Sequence, residues 1–72
     1  MTQEELEAFA RSQEGLDSCA DKQMPVAEPC LEGRGGYFCT RAKGHEGPHV
    51  AHGSIYPVCA VWDDESFWGR GD

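Results

Sequence analysis

Between Cys39 and His52 the chain reads CTRAKGHEGPHVAH, which holds one cysteine and all three histidines of the molecule. Thiolate sulfur and imidazole nitrogen are the donors that zinc prefers, four of them in a tetrahedron. Cys39, His45 and His49 follow the spacing C-x5-H-x3-H, and H-x3-H is a common histidine spacing in zinc sites. Gly44 and Gly47 carry no Cβ, so the backbone can wrap close to an ion. Pro48 fixes φ and removes disorder from the loop. The fourth ligand should be a second cysteine. Cys30 is the best choice, because the turn-rich run LEGRGG can return it to Cys39. Two thiolates then neutralise Zn²⁺, and two neutral imidazoles complete the shell. The other cysteines read differently. Cys19 falls in a possible short helix. Cys59 falls in an apolar stretch, where a free cysteine behaves as a small hydrophobe. Cys19, Cys59 and His52 remain substitute ligands, and His52 could also support a ligand from behind or lie exposed. A reduced histidine-rich loop and a Cys30–Cys39 disulfide are the competing readings.

A catalytic zinc keeps one position open for water and needs a base beside it. His45-Glu46-Gly47-Pro48-His49 has the letters of the H-E-x-x-H metalloprotease motif, with Glu46 as the only local base. That motif works on a helix, which aligns both imidazoles and aims the glutamate. Gly47-Pro48 argues for a turn instead, and four good ligands leave no open position. The expectation is therefore a structural site and no enzyme, with a zinc hydrolase using Glu46 as a minor alternative. An iron–sulfur cluster fits less well, because no C-x-x-C is present.

The run CTRAKGHEGPHVA resembles the C-T-x-x-x-G-H-x-G-P-H segment of short zinc-binding proteins encoded by actinobacteria and their phages. In those proteins an upstream cysteine precedes the segment and an aromatic residue, often tryptophan, follows it. Cys30 and Trp62 occupy those places here. The resemblance spans Cys30 to Trp62 and implies a small zinc-binding module, zinc-knuckle-like in scale. It implies no particular activity. Cys19, Cys59 and the N-terminal segment lie outside its pattern.

The elements that must position these residues are short. Thr2 and Glu5 fit a capping box, Glu4, Glu5 and Glu7 complement the helix dipole, and Leu6, Phe9 and Ala10 share a face. These features predict a helix over 2–15, with Glu7 and Arg11 paired and Gly15 as its stop. A second short helix is possible from Leu16 to Gln23, ended by Met24-Pro25. Gly36–Thr40 and the run HVAH read as strands. Ile55–Trp62 is the strongest strand signal, weakened by Pro57, and AHGS could turn a hairpin before it. Trp62, Phe67 and Trp68 read first as core or cover for the metal, and as interface anchors if they are exposed together. The fold expected is a small α+β metal-stabilised domain: an N-terminal helix plus a short antiparallel sheet around a zinc site. A single domain covers 1–72, with a zinc-binding β-rich module over 30–62. An acidic and aromatic tail follows over 63–72, its last four residues mobile. The terminal Arg70-Gly71-Asp72 spells a cell-adhesion tripeptide, which three residues readily do by chance.

Length and charge bound the role. At 72 residues the apolar core is marginal, and scaffolds of this size commonly add a metal, a disulfide or a partner. Six Lys+Arg against thirteen Asp+Glu give a net charge of −7, which opposes phosphate backbones and favours a basic protein partner. Arg34, Arg41 and Lys43 are the only basic residues close in sequence, and they form the basis of an alternative reading as a nucleic-acid-binding zinc module. The first residues lack the basic and apolar regions of a signal peptide, and no run is long enough to span a membrane. A cytoplasmic location is expected, the host cytoplasm if the chain is phage-encoded, and thiols stay reduced there. The function expected is a small acidic zinc-binding interaction protein, a phage-encoded accessory protein engaging a host protein.

Overall fold

A computed structural model of the chain describes residues 1–22, 25, 27–53 and 57–70. Helix α1 spans Gln3–Arg11, helix α2 Gln13–Asp17, and a 3-10 turn Ala20–Lys22. The strands are β1 (Gly33–Arg34), β2 (Tyr37–Phe38), β3 (His49–Ala51), β4 (Ala60–Trp62) and β5 (Phe67–Gly69). Among the described residues β1 and β2 form one antiparallel sheet, and β3, β4 and β5 form another in that order. The small α+β fold is the one the sequence predicts.

The capping box is present. The Glu5 amide donates to Thr2 Oγ1 at 3.2 Å, and the Thr2 amide donates to Glu5 Oε1 at 3.0 Å. The single helix expected over 2–15 is interrupted at Ser12. There the chain is extended (φ −78°, ψ 158°), and the hydroxyl caps a new helix by accepting from the Gly15 amide at 3.0 Å. Gly15 is thus inside α2 and not the stop of α1. A Cβ at Gly15 would lie 2.1 Å from the Phe9 carbonyl oxygen, so this close fold-back of α2 on α1 requires glycine. The helix expected from Leu16 is divided between α2 and the 3-10 turn. Its end at Gln23-Met24 lies outside the described residues.

The three-stranded sheet sorts its side chains by alternation. Val50 pairs with Val61, and Val61 with Trp68. This row packs with Leu6, Ala10 and Val58 against α1, with Phe9 and Leu16 at the margin. The next row is His49–Trp62–Phe67. It faces the other way, where Ala51, Ala60 and Trp62 pack with Cys39, and with Cys30, Tyr37 and Phe67 at the edge. One side of the sheet therefore builds the apolar core and the other faces the cysteines. The strand expected over Ile55–Trp62 is regular only from Ala60. Ile55 and Tyr56 lie outside the described residues, as does Ser54 of the expected turn.

The segment after Trp62 is not a loose tail up to Arg70. Asp63 Oδ1 accepts from the Glu65 and Ser66 amides at 2.9 and 2.8 Å, closing a turn that sends Phe67–Gly69 back along β4. The Arg70 amide donates to the Cys59 carbonyl at 2.9 Å, so the backbone stays paired with the start of β4 as far as Arg70. Gly71 and Asp72 lie outside the described residues, which leaves the terminal tripeptide there. Asp63 also holds the Met1 ammonium at 2.6 Å, and that contact pulls the Asp63 carboxyl down to about 2.

The two-residue strands β1 and β2 understate a longer hairpin. One register continues outward from Gly33↔Phe38 to the bridge Pro29↔Ala42. The Cys30 amide donates to the Arg41 carbonyl, the Cys39 amide to Glu32, and the Lys43 amide to Glu28, each at 2.8 Å. One irregularity interrupts it. Leu31 has φ 61°, a left-handed conformation that costs a leucine about 1–2 kcal/mol.

Candidate metal centre

Cys30 and Cys39 sit on the two arms of this hairpin. In an antiparallel ladder, residue 30 lies opposite 41 and 32 opposite 39, so both cysteines project from one face. That face lies over the row of the sheet that begins with His49. His45 comes from the loop between the hairpin and β3. The loop turns through Gly44 and Gly47, both at φ 84°, so these positions need glycine. It contains no helix, so His45 and His49 approach each other around a bend. Their rings meet edge to face, with centroids 5.1 Å apart.

The four candidate ligand atoms lie within 4.8 Å of one another, and Cys30, Cys39, His45 and His49 could hold a metal ion. Cys30 Sγ is 3.6 Å from His49 Nδ1, and Cys39 Sγ is 3.4 Å from His45 Nε2. A tetrahedron with Zn–S of about 2.3 Å and Zn–N of about 2.05 Å has S···N edges of about 3.6 Å. The donor set and these edges are therefore compatible with zinc. The two imidazoles turn different nitrogens toward the sulfurs. His45 presents Nε2, because its Nδ1 lies 3.3 Å from the Glu46 carbonyl and donates to it, which fixes the tautomer. His49 presents Nδ1.

The surroundings hold His45 in its ligand form, while Cys39 without a metal is held as the thiol. Burial pushes the Cys39 thiol up, while the Arg41 and Val50 amides aimed at its sulfur pull it back. A metal ion would remove that proton outright. Burial lowers the His45 pKa, with Arg41 and His49 acting in the same direction, so the imidazole is held neutral. His49 stacks on Trp62 at 5.8 Å, and Trp62 on Phe67 at 6.1 Å. Tyr37 meets Phe67 at 6.1 Å and closes this aromatic backing.

The remaining candidates are placed as follows. His52 is not at the centre. The Gly15 carbonyl can only accept, so Nε2–H donates to it at 2.9 Å, and Thr40 Oγ1 donates to Nδ1 at 2.6 Å. His52 thus ties α2 to the hairpin. Cys19 and Cys59 lie outside the cluster, each half-buried. Trp62 is only 2% exposed and covers the candidate metal site; Phe67 is half-buried on the same face, and Trp68 is half-buried on the opposite face, against α1. The basic patch of Arg34, Arg41 and Lys43 does not assemble. Arg41 is 7% exposed, and Arg34 donates to the Asp63 carbonyl at 3.1 Å. Glu46 is exposed on a bend, and its carbonyl is engaged with His45.

Sequence reasoning missed Arg41 as part of the centre. Its guanidinium donates to the Pro48 carbonyl at 2.7 Å and lies 5.3 Å from the centroid of the Phe9 ring. It connects α1 to the ligand loop, and its Nε has no hydrogen-bond partner among the described residues. The signal available was weak: Arg41 shares the alternation of Cys39, which directs both side chains to one face. No family model, curated protein or solved structure matches the chain, so the metal centre rests on its own geometry.

Proposed function

We propose that the chain is a small acidic zinc-stabilised interaction protein, in which Cys30, Cys39, His45 and His49 hold one structural Zn²⁺. The observation that carries this reading is the convergence of two sulfurs and two ring nitrogens within 4.8 Å in a chain of 72 residues. Tetrahedral S2N2 sets point to zinc among the common metals. Four protein ligands leave no position for a water, which supports a structural and not a catalytic ion. In small zinc domains the ion supplies folding free energy on the order of 10 kcal/mol, which is the term a core this small lacks. An acidic surface around a metal-braced scaffold suits recognition of a basic protein. The resemblance of residues 39–51 to proteins of actinobacteria and their phages supports an accessory role, with a host protein as partner in the host cytoplasm. The burial of Arg41 takes away the main support for nucleic-acid binding.

The test combines elemental analysis with chelation. One zinc per chain is expected, together with loss of the folded state in excess chelator and its return on adding zinc. A metal-free protein that keeps its structure in strong chelator overturns the reading.

A further inference from the structure

Arg41 carries a charge that nothing near it balances at close range. The residue is 7% exposed, yet the ion pairs of the described residues do not include it. Among its five N–H groups, Nη1 donates to the Pro48 carbonyl at 2.7 Å, while Nε is buried with no partner among the described residues. The Phe9 ring, 5.3 Å from the guanidinium carbon, offsets part of the cost of burying the charge. With zinc bound, the two thiolates of the same hairpin are neutralised and supply no counter-charge. A buried charge without an ion-pair partner is costly, and an unsatisfied buried group in a folded protein points to a missing partner.

Arg41 also lines a pocket of about 250 Å³ where α2 meets the ligand loop. Two local features bring these elements together. Gly15 lets α2 fold back on α1, and the bridge between Cys19 and Arg41 ties the residues after α2 to the hairpin. From the side of α2 the pocket receives Glu14, Asp17 and the buried Ser18, and His45 borders it from the loop. The Gln13 side-chain amide donates to Asp17 at 2.5 Å. Glu14 is exposed and joins none of the ion pairs of the described residues. The pocket is therefore bipolar, with a buried cation on one side and carboxylates on the other.

We propose that this pocket binds the C-terminal lysine or arginine of a partner protein, with the terminal carboxylate on the Arg41 guanidinium and the basic side chain against Glu14. The inference rests on the reading of the chain as a zinc-braced interaction protein and adds a binding site and the class of partner. The two charges select the occupant. A plain anion suits Arg41 but is repelled by Glu14 and Asp17. A plain cation suits the carboxylates but meets the guanidinium. A ligand with both charges a few atoms apart satisfies both sides. Guanidinium and carboxylate match through two parallel hydrogen bonds, and capture of a C-terminal carboxylate is a recurring mode of peptide recognition. The volume is below that of a site for a drug-sized ligand, so it takes one terminal residue and not a longer segment.

The test is an NMR titration of the zinc-loaded, isotope-labelled protein with acetyl-Gly-Gly-Lys. The C-terminal amide of that peptide, acetyl-Gly-Gly-Gly and free lysine are the comparisons. Amide shifts should centre on 14–18 and 41–45, and each comparison ligand should bind more weakly by about tenfold or more. Arg41→Lys keeps the charge and loses the planar fork, so it should weaken binding of acetyl-Gly-Gly-Lys by about tenfold. Glu14→Gln should remove the preference for lysine over glycine. Glu14 is exposed, so this variant keeps the fold and tests the site even where Arg41→Lys does not fold. Equal binding of the amide, or a lysine preference that survives Glu14→Gln, would overturn the proposal. Equal binding of free lysine would assign the pocket to a small amino acid and overturn it as well. Zinc content measured on each sample separates the two claims. Peptide binding by a folded, zinc-free protein contradicts the metal reading alone, and failure to bind with zinc retained contradicts the peptide site alone.

Discussion

Cys39 is the fully buried member of the cluster, and removing its sulfur leaves three candidate ligands with no substitute donor among the described residues. Cys39→Ser or His49→Ala should release the metal and unfold the domain, read by metal content and circular dichroism. Cys59→Ala should keep its metal, since Cys59 lies outside the cluster. Zinc lost from Cys59→Ala and kept in Cys30→Ala would reverse the assignment of the fourth ligand. Arg41 supports the same loop by another route. Arg41→Ala removes the donor to the buried Pro48 carbonyl and the cover on Phe9. The cost should be about 2–3 kcal/mol in urea unfolding of the zinc-loaded protein. Wild-type stability in that variant would show the strut to be idle. The ligands were legible in the sequence because glycine and proline occur where a loop must turn around an ion. Arg41 was not, because three basic residues near in sequence look like a surface patch until burial separates them.

At the scale of elements, the capping box and the facing of Leu6 and Ala10 made α1 readable, whereas its end was not. Ser12 and Gly15 together restart the helix, and a lone glycine in a helical pattern reads more simply as a stop. The tail is legible in part: Phe67 and Trp68 read as core or cover, but the turn and strand that place them do not. Acidic residues followed by glycines look solvated, yet Asp63 closes the turn that returns Phe67 and Trp68 to β4. His52 joins α2 to the hairpin in a way that depends on pH. Burial lowers its pKa below the ordinary 6.5, with Lys22 and Arg41 adding to the shift and the Gly15 carbonyl opposing it. Protonation would remove the Nδ1 acceptor that Thr40 uses. A depressed imidazole pKa contributes stability that is complete above the unfolded value and is lost as pH falls through the folded one. The stability difference between wild type and His52→Gln should therefore be largest above pH 6.5 and shrink in acid. A difference that is the same at every pH would contradict this role.

For the whole molecule, the sheet divides the labour. Its Val50–Val61–Trp68 face packs on α1, and its His49–Trp62–Phe67 face closes over the cysteine hairpin. The apolar half is small, with Leu6 and three valines as its large fully buried members. The Cys30–Cys39–His45–His49 cluster occupies the place where a second apolar layer would otherwise be needed. The most direct test of the account is X-ray absorption at the zinc edge of the purified protein. The account predicts two sulfur neighbours at about 2.3 Å and two nitrogen neighbours at about 2.0–2.1 Å. Absence of zinc, or a shell with no sulfur or with more than two, would contradict it.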